Sequence, residues 1–460
     1  MRKIIALLLL VCCPCGAAEL KTVAHVHTQF SADGDAQPLG KTLELASAAG
    51  IDAVVLADDA AACMEYGLPP LRRLLKASVS RKSVTGGGPS AFLEEIAAQR
   101  AKFPDIIIIP GVEAAAYYRW SGNIIQGLTV NDWHRHMAVA GMEKAELYRR
   151  LPVSGNPGGF PFRVWTLLPL LMVLPAWLLW RRGARKAAVA IALACAVLLA
   201  QLWPFRPYPY DIYAGRTPDA PYAALAEYAD RNGFLCFWHH PEAPNWRTPA
   251  RIAPRVSAQT GLYTDCLEIA PYTLGFGAFM EGNKYMTVAG GPWDRALLAF
   301  VEGRRPRPAW AFAELDYHRQ GKDGTCIDTN YMMVRAENRS PAATLAALKE
   351  GKFYPVQPDG GEALRLDNWQ ASCGGRTAQS GQKLNCGGRH EIAFALSGNA
   401  PRAHIRLIRN GTVVFETEAA IPYSHEFHGA AEKSSYYRLA ASHRANGALL
   451  SNPIFIEGQQ

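Results

Sequence analysis

The middle of the chain carries two uncharged apolar segments, residues 164–180 and 187–203, each 17 residues long. A helix of that length spans about 26 Å, close to the hydrocarbon thickness of a bilayer. Tryptophans lie near the segment ends, and the basic turn 181–186 separates the segments. The pattern predicts a membrane insert, residues 151–206, built as a transmembrane helical hairpin. A pair of buried core helices is the alternative.

The N-terminus carries a further apolar segment. Residues 4–11 are an apolar run that follows Arg2 and Lys3, and Ala17 and Ala18 offer a small-residue cleavage site. This pattern predicts a secretory signal peptide over residues 1–18. A lipoprotein signal that uses a nearby cysteine is the alternative, although the residues before those cysteines fit it poorly. The positive-inside rule places 181–186 in the cytoplasm, so the soluble parts are expected on the periplasmic or extracellular side.

The formal net charge of +8 is accounted for by the membrane insert and its flanks. Eight basic residues and no acidic residue lie between positions 149 and 210. The rest of the chain is therefore balanced, and no nucleic-acid-binding motif accompanies the basic pI. We expect a small-molecule substrate and membrane lipid as partners, and no nucleic acid.

Six cysteines lie outside the signal peptide and the membrane insert. Cys373 and Cys386 are close in sequence and flanked by glycine pairs, so an exported protein is expected to join them in a disulfide. The spacing of the cysteines does not indicate a zinc site.

Strands alternate with helices on both sides of the insert. Helices are predicted at 38–50, 90–103, 221–233 and 293–303, and strands at 22–24, 52–57, 105–109, 123–130, 234–238, 265–269 and 309–314. This alternation predicts an α/β fold with a parallel sheet, and seven such strands indicate a closed or nearly closed barrel. Its halves are residues 19–150 and 207–360. The loops 69–89 and 241–260 are expected to be exposed and to face the substrate.

The last hundred residues change in character. Short alternating segments at 391–396, 402–408, 412–418, 436–441 and 452–457 are separated by turns such as Asn410-Gly411. They predict an all-β, sandwich-like domain over residues 361–460 that packs against the barrel or shapes its substrate site.

Metal-ligating residue types recur where the predicted strands end. His25 and His27 project to the same side at the end of the first strand, because side chains alternate along a strand. Further carboxylates and imidazoles follow the other strands: Asp33, Asp58, Asp59, Glu113, His239, His240, Asp316 and His318. The carboxyl ends of barrel strands form one face, so these groups are expected to converge on a metal centre.

These motifs resemble those of the PHP (polymerase and histidinol phosphatase) superfamily. His25-x-His27, Asp33-Gly34, Ala57-Asp58-Asp59, Gly111-x-Glu113 and His240-Pro241 occur in the family's order. Asp316-x-His318 completes the series, and the whole is most similar to the CehA/McbA-like metallohydrolase branch. The resemblance implies a distorted (β/α)7 barrel that uses a metal-activated water on phosphoesters or on carbamates and amides.

The resemblance also implies a set of ligands for one to three zinc, manganese or iron ions. One ion would be bound by His25, His27, Glu113 and Asp316. Glu113 would bridge to a second ion held by His240, and a third would use Asp33, Asp59 and His318. His318 or Asp59 would move protons to the leaving group.

The sequence departs from the family at two positions. Asp59 stands where the family usually has a histidine, and Gly122-Asn123 stands where a second histidine is expected. His134 or His136 could replace that second ligand. The hypotheses are therefore an exported, membrane-tethered metal-dependent hydrolase, which is favoured, a metal-depleted binding module at the cell envelope, and a scaffold without a site.

Overall fold

The structure, a computed structural model, describes residues 17–32, 34–156, 158–202, 208–243, 247–279, 284–430 and 433–458. The predicted signal peptide lies almost entirely outside the described residues, as do Asp33 and Trp203.

The helices are α1 Leu39–Ala48, α2 Val84–Gly87, α3 Pro89–Lys102, α4 Ala145–Arg149, α5 Val173–Arg181, α6 Arg185–Leu202, α7 Ala220–Arg231, α8 Cys266–Ile269, α9 Pro292–Val301 and α10 Pro341–Lys349. A 3-10 helix, Val164–Met172, leads into α5. The strands of the α/β part are β1 Ala18–Val26, β2 Ala53–Leu56, β3 Asp58–Asp59, β4 Cys63–Gly67, β5 Lys76–Ser80, β6 Ile107–Ile109, β7 Gly111–Ala115, β8 Arg119–Asn123, β9 Gly127–Asn131, β10 His136–Ala140, β11 Leu235–Trp238, β12 Ala250–Ala253, β13 Val256–Gln259, β14 Gly275–Ala278, β15 Trp310–Ala313, β16 Tyr331–Ala336 and β17 Phe353–Gln357. The strands that follow are β18 Leu364–Cys373, β19 Arg376–Gln379, β20 Lys383–Asn385, β21 Arg389–Gly398, β22 Arg402–Arg409, β23 Thr412–Ala420, β24 Tyr423–Ala430, β25 Ser435–His443, β26 Gly447–Leu450 and β27 Ile454–Glu457.

The first sheet begins the α/β part. Strands β1, β2 and β6 run parallel, with Thr22 opposite Ala53 and Ala53 opposite Ile107. β16 lies antiparallel on the other edge of β1. Helix α1 buries Leu39, Leu43 and Ala46 at the spacing of one helical face. The short apolar runs form strands here because helices cover the sheet.

A second sheet has the strand order β15-β14-β11-β10-β7-β3. β10 runs antiparallel to both β7 and β11, so this sheet is mixed and not parallel as predicted. The sequence analysis predicts no strand at the position of β10.

The two sheets are continuous along the chain. β2 leads into β3 through Ala57, and β6 leads into β7 through Pro110. Backbone amides of Leu315 and Tyr317 donate to the carbonyls of Ala24 and His25, at 3.1 and 2.9 Å. The ends of β1 and of the segment after β15 are therefore joined. The closed seven-stranded barrel itself stays a prediction, because the strands are divided between two sheets.

Two predicted strands differ in the structure. The segment 123–130 is the turn and second strand of the β8–β9 hairpin, because Asn123 Oδ1 accepts from the amides of Ile125 and Gln126. The segment 265–269 is the short helix α8, in which the amides of Glu268 and Ile269 donate to Asp265. A short apolar run does not distinguish a strand from a buried helix.

The two apolar segments form helices that pack on each other. Val164–Arg181 and Arg185–Leu202 are long and apolar enough to cross a membrane, with mean hydropathies of 1.5 and 1.7. Only 17% and 11% of these spans is buried. Such exposure does not fit the alternative of two core helices.

The C-terminal strands form two facing layers. One is the four-stranded sheet β19-β18-β21-β24, and the other continues the first sheet through the pairing of β17 with β26. Side chains such as Trp369 and Phe394 from one layer share a core with Ile405 and Leu439 from the other. The predicted disulfide between Cys373 and Cys386 is confirmed, with Cα atoms 6.0 Å apart.

A buried ion pair ties this part to the α/β part. Asp294 of α9 contacts Arg438 of β25 at 2.6 and 2.7 Å, and neither side chain is exposed. Tyr436 donates to the same carboxylate at 2.7 Å. The division of the chain into domains at residue 360 stays a prediction, since one sheet crosses that position.

Candidate metal centre

Three residues at strand ends have left-handed backbone conformations. The φ angles of His25, His240 and Asp316 are 65°, 28° and 48°. Residues other than glycine rarely adopt positive φ, and such strain is concentrated at functional sites. At His25 the ladder between β1 and β2 also shifts register, a bulge of the kind that redirects side chains.

Glu113 on β7 lies at the middle of a histidine cluster. Its Oε1 is 3.1 Å from His25 Nε2 and 3.2 Å from His240 Nε2. The same oxygen is 2.8 Å from His136 Nδ1 and 2.9 Å from His239 Nδ1. Four imidazoles from three strands thus surround one carboxylate that is 5% exposed.

Asp316 forms a second cluster that shares His25. Its Oδ1 is 3.3 Å from His25 Nε2, 3.2 Å from His27 Nε2 and 3.2 Å from His318 Nε2. The ring of His318 stacks on that of His27, with centroids 4.3 Å apart. Two groups have all their ligand atoms within 4.8 Å of one another: His25, Glu113, His239 and His240, and His25, His27 and Asp316.

Glu314 orients His25 from behind. Its Oε2 lies 3.1 Å from His25 Nδ1, and its Oε1 accepts the backbone amide of His240. The Glu314 oxygen accepts from Nδ1–H, which leaves Nε2 of His25 aimed at the centre. Gly277 makes room for this carboxylate, because a Cβ there would lie 1.8 Å from Glu314 Oε1.

His27 is held in the same way by a serine. Ser31 Oγ donates to Asp58 Oδ1 at 2.9 Å, so its lone pair accepts from His27 Nδ1 at 2.7 Å. Asp58 is fully buried and also accepts from the amide and hydroxyl of Thr28. The remaining nitrogen of His27, Nε2, therefore faces Asp316.

His240 completes the pattern of oriented rings. The hydroxyl of Tyr263 donates to the carbonyl of His239 and lies 3.1 Å from His240 Nδ1. Nδ1 of His240 is therefore the donor of that pair, and Nε2 is left for the centre.

Glu113 and Asp316 carry negative charge in this buried site. Burial alone would raise the pKa of Glu113, but the imidazoles of His136 and His25 outweigh it and hold that pKa well below its ordinary value. Asp316 behaves in the same way, with His25 and His27 as its main partners. Burial lowers the pKa of His27, yet Asp316 and Glu113 raise it to about 8. The site thus attracts protons or another cation.

The residues fit a divalent metal ion. The nitrogens His25 Nε2, His27 Nε2 and His136 Nδ1 are buried and make no hydrogen bond of normal geometry within the described part of the chain. Buried polar atoms without partners are costly. Neutral imidazole and carboxylate are the ligands that zinc, manganese and iron share, so an ion would satisfy these atoms.

The predicted ligands have different outcomes. The structure brings His25, His27, Glu113, His240 and Asp316 together. Asp59 and His318 line the cavity beside them, while Asp33 lies outside the described residues. Asn123, which stands where the family usually has a histidine, caps an exposed turn and is not among the residues that line the cavity. His136 stands beside Glu113 instead.

Two members of the site had no specific role in the sequence analysis. His239 was expected at the centre but was assigned to none of the ions, although it contacts Glu113. Glu314 was placed at the end of a strand without a function. His239 follows one predicted apolar strand and Glu314 ends another. Their position at strand ends was the sequence feature that could have indicated a role in the site.

A cavity of about 690 Å³ opens onto the centre. The predicted substrate-facing loops do line it, but they contain the strands β5, β12 and β13. Its polar end is formed by Asp59, Glu113, His134, His136, His240, Asp316 and His318.

Comparison with known proteins does not assign this chain to a family. No protein-family model and no curated protein matches it. A two-domain protein from Bacteroides vulgatus, described as containing a predicted PHP-like metal-dependent phosphoesterase, is 11% identical over 92% of this chain and 91% of that chain, with a TM-score of 0.36. An engineered protein is 12% identical over 55% of this chain and 51% of that chain, with a TM-score of 0.15. Neither likeness establishes a shared fold.

Proposed function

We propose that this protein is a metal-dependent hydrolase that acts on a phosphoester or on a carbamate or amide. The observation that carries the proposal is the convergence of His25, His240 and Glu113 at the end of a cavity, with buried imidazole nitrogens that make no hydrogen bond of normal geometry among the described residues. Four imidazoles surround the single carboxylate of Glu113. One histidine would be enough for a structural ion pair, so this number favours metal binding.

His25, His27, Glu113, His240 and Asp316 would hold the metal, with His136 and His239 as further nitrogen donors. When bound, a divalent ion supplies Lewis acidity toward the phosphoryl or carbonyl oxygen and activates water. Zinc, manganese and iron all suit this donor set.

The cavity wall supplies the groups that handle protons. His318 and Asp59 both line the cavity, on the side of His27. Burial raises the pKa of Asp59 above its ordinary value, and the negative charge of Glu113 adds to that effect. A carboxyl with a raised pKa can hold a proton and give it to a leaving group.

The order of motifs supports membership of the PHP superfamily, with the CehA/McbA-like branch as the finer assignment. The hydrogen bonds that join the segment 315–317 to β1 are compatible with the seven-stranded barrel expected for that family. The metal-depleted binding module is the weaker alternative, because His136 contacts Glu113 and offers the imidazole that the sequence lacks at Asn123.

We also propose that the protein is exported and tethered by its two apolar helices. Exposed side chains such as Leu171 and Leu193, at 72% and 62%, support contact with lipid. Reporters fused within residues 181–186 and at the C-terminus test this topology. A cytoplasmic C-terminus would refute it.

The experiment for the hydrolase is metal-dependent turnover by the full chain. The purified protein is stripped with a chelator, reloaded with zinc or manganese, and assayed on phosphodiester, carbamate and amide probes. We expect activity to disappear and return with the metal. A chain that binds metal and hydrolyses none of the three probes would favour the binding module.

A further inference from the structure

The cavity beside the centre is mostly apolar. The described side chains that form its walls include Met64, Tyr66, Val79, Trp120, Ile252 and Val256. A cavity of about 690 Å³ is of the size that encloses a drug-sized ligand. A small polar phosphoester would leave these walls without an apolar partner.

One face of the β4–β5 hairpin forms a wall of the cavity. Met64 is opposite Val79 and Tyr66 is opposite Ala77, and these four side chains line the cavity. Ser78 lies between Ala77 and Val79 and so points to the other face, because side chains alternate along a strand.

The turn of this hairpin lies against the C-terminal end of the second apolar helix, α6. Gln201 of α6 donates from Nε2 to the carbonyl of Pro70 at 2.9 Å, and its Oε1 accepts the amide of Arg73 at 2.8 Å. The Arg73 guanidinium donates to the carbonyl of Leu202 at 3.1 Å. The hairpin therefore connects the cavity wall to the end of the proposed membrane anchor.

The same turn has the surface of a membrane-contacting segment. Leu68, Leu74 and Leu75 are 42%, 44% and 52% exposed. Residues 63–82 include five basic side chains and a single acidic one, Glu65. Exposed leucines among basic residues suit the interface of an anionic bilayer.

We infer that the substrate is an amphiphile drawn from the bilayer, with a phosphoester head at the metal centre and a hydrocarbon chain in the cavity. The inference rests on the proposed hydrolase function and names its substrate class. Hydrolysis breaks the bond between phosphorus and the leaving-group oxygen, and the oxygen of water bonds to phosphorus. The leaving alkoxide takes up a proton, so the products are an alcohol and a phosphate.

Chain binding is tested apart from turnover. The full chain is reconstituted in phosphatidylcholine vesicles, and an alkylphosphonate with a dibrominated chain is added, with and without chelator. The four tryptophans of residues 164–203 are first replaced by phenylalanine, because bromine dissolved in the bilayer would quench them. Trp120 and Trp133 line the cavity, so bromine that enters it should quench their fluorescence. Val79→Asp places a charge in the apolar wall and should abolish this quenching, while Ser78→Asp adds the same charge to the opposite face and should not.

Turnover is tested with methyl and decyl p-nitrophenyl phosphate. We expect kcat/KM for the decyl probe to exceed that for the methyl probe by about 100-fold, the gain from withdrawing three to four methylene groups from water. Ala77→Trp should reduce this ratio by filling the cavity. The rate should also follow the fraction of the decyl probe in the protein's own bilayer, whereas a freely dissolved substrate would not show that dependence.

The outcomes separate the two proposals. Equal kcat/KM values for both probes, with no bromine quenching, would overturn the amphiphile inference and leave the hydrolase standing. Quenching that depends on Val79, without metal-dependent hydrolysis of these probes or of the carbamate and amide probes, would overturn the hydrolase and show that the cavity binds hydrocarbon chains.

Discussion

Replacing Glu314 by glutamine should weaken metal binding without unfolding the protein. Both partners of this carboxylate, His25 Nδ1 and the backbone amide of His240, are donors, and the two oxygens accept one each. Glutamine offers one oxygen and one NH2 group. The fixed amide of His240 keeps the oxygen, so the NH2 group turns toward Nδ1 of His25. His25 must then carry its proton on Nε2, the nitrogen that faces Glu113 and Asp316.

The expected loss is about 10- to 100-fold in metal affinity, the usual effect of removing a partner that orients a ligand. This equals about 1.4–2.7 kcal/mol and agrees with the value of one hydrogen bond to a charged group. The assay is competition for zinc against a chromophoric chelator. Glu268→Gln is the matched control, because Glu268 contacts only an exposed arginine among the described residues. Unchanged affinity in Glu314→Gln would refute the orienting role.

Three further changes test the account. Asp294→Ala leaves buried Arg438 without its partner and should cost about 3–5 kcal/mol of unfolding free energy, seen as a lower thermal midpoint; an unchanged midpoint would contradict it. Cys373→Ser opens a disulfide loop with a sequence separation of 13 residues, so we expect a loss of at most about 3 kcal/mol and unaltered metal content. Asn123→His should leave metal content unchanged, because Asn123 lies in an exposed turn; a gain in bound metal would show that this turn reaches the centre.

Much of the site could be predicted because its ligands follow apolar strands. His25, His27 and Glu113 each end or occupy a short buried strand, and the carboxyl ends of neighbouring strands meet. The left-handed backbone of His25 and Asp316 could not be inferred from composition, since it depends on the bulge and on contacts across the sheet.

The position of His136 in the site depends on β10, a strand that the sequence did not indicate. β10 is only five residues long and runs antiparallel between β7 and β11. Without it, His136 could be named only as an alternative to the family's histidine, with no predicted position beside Glu113, and Asn123 was matched to that histidine by its place in the sequence alone. The pair His134 and His136 was the only signal in the sequence, and a histidine pair alone is a weak one.

Bound metal per chain in the Glu113→Gln variant tests the central claim most directly. Glu113 Oε1 lies within 3.2 Å of four imidazole nitrogens, so the amide removes the charge that the whole group shares. Elemental analysis should find tightly held zinc, manganese or iron in the wild type and in Glu268→Gln, and little in Glu113→Gln. Full metal content in Glu113→Gln, or a wild-type chain that retains no divalent ion, would contradict the assignment of this centre.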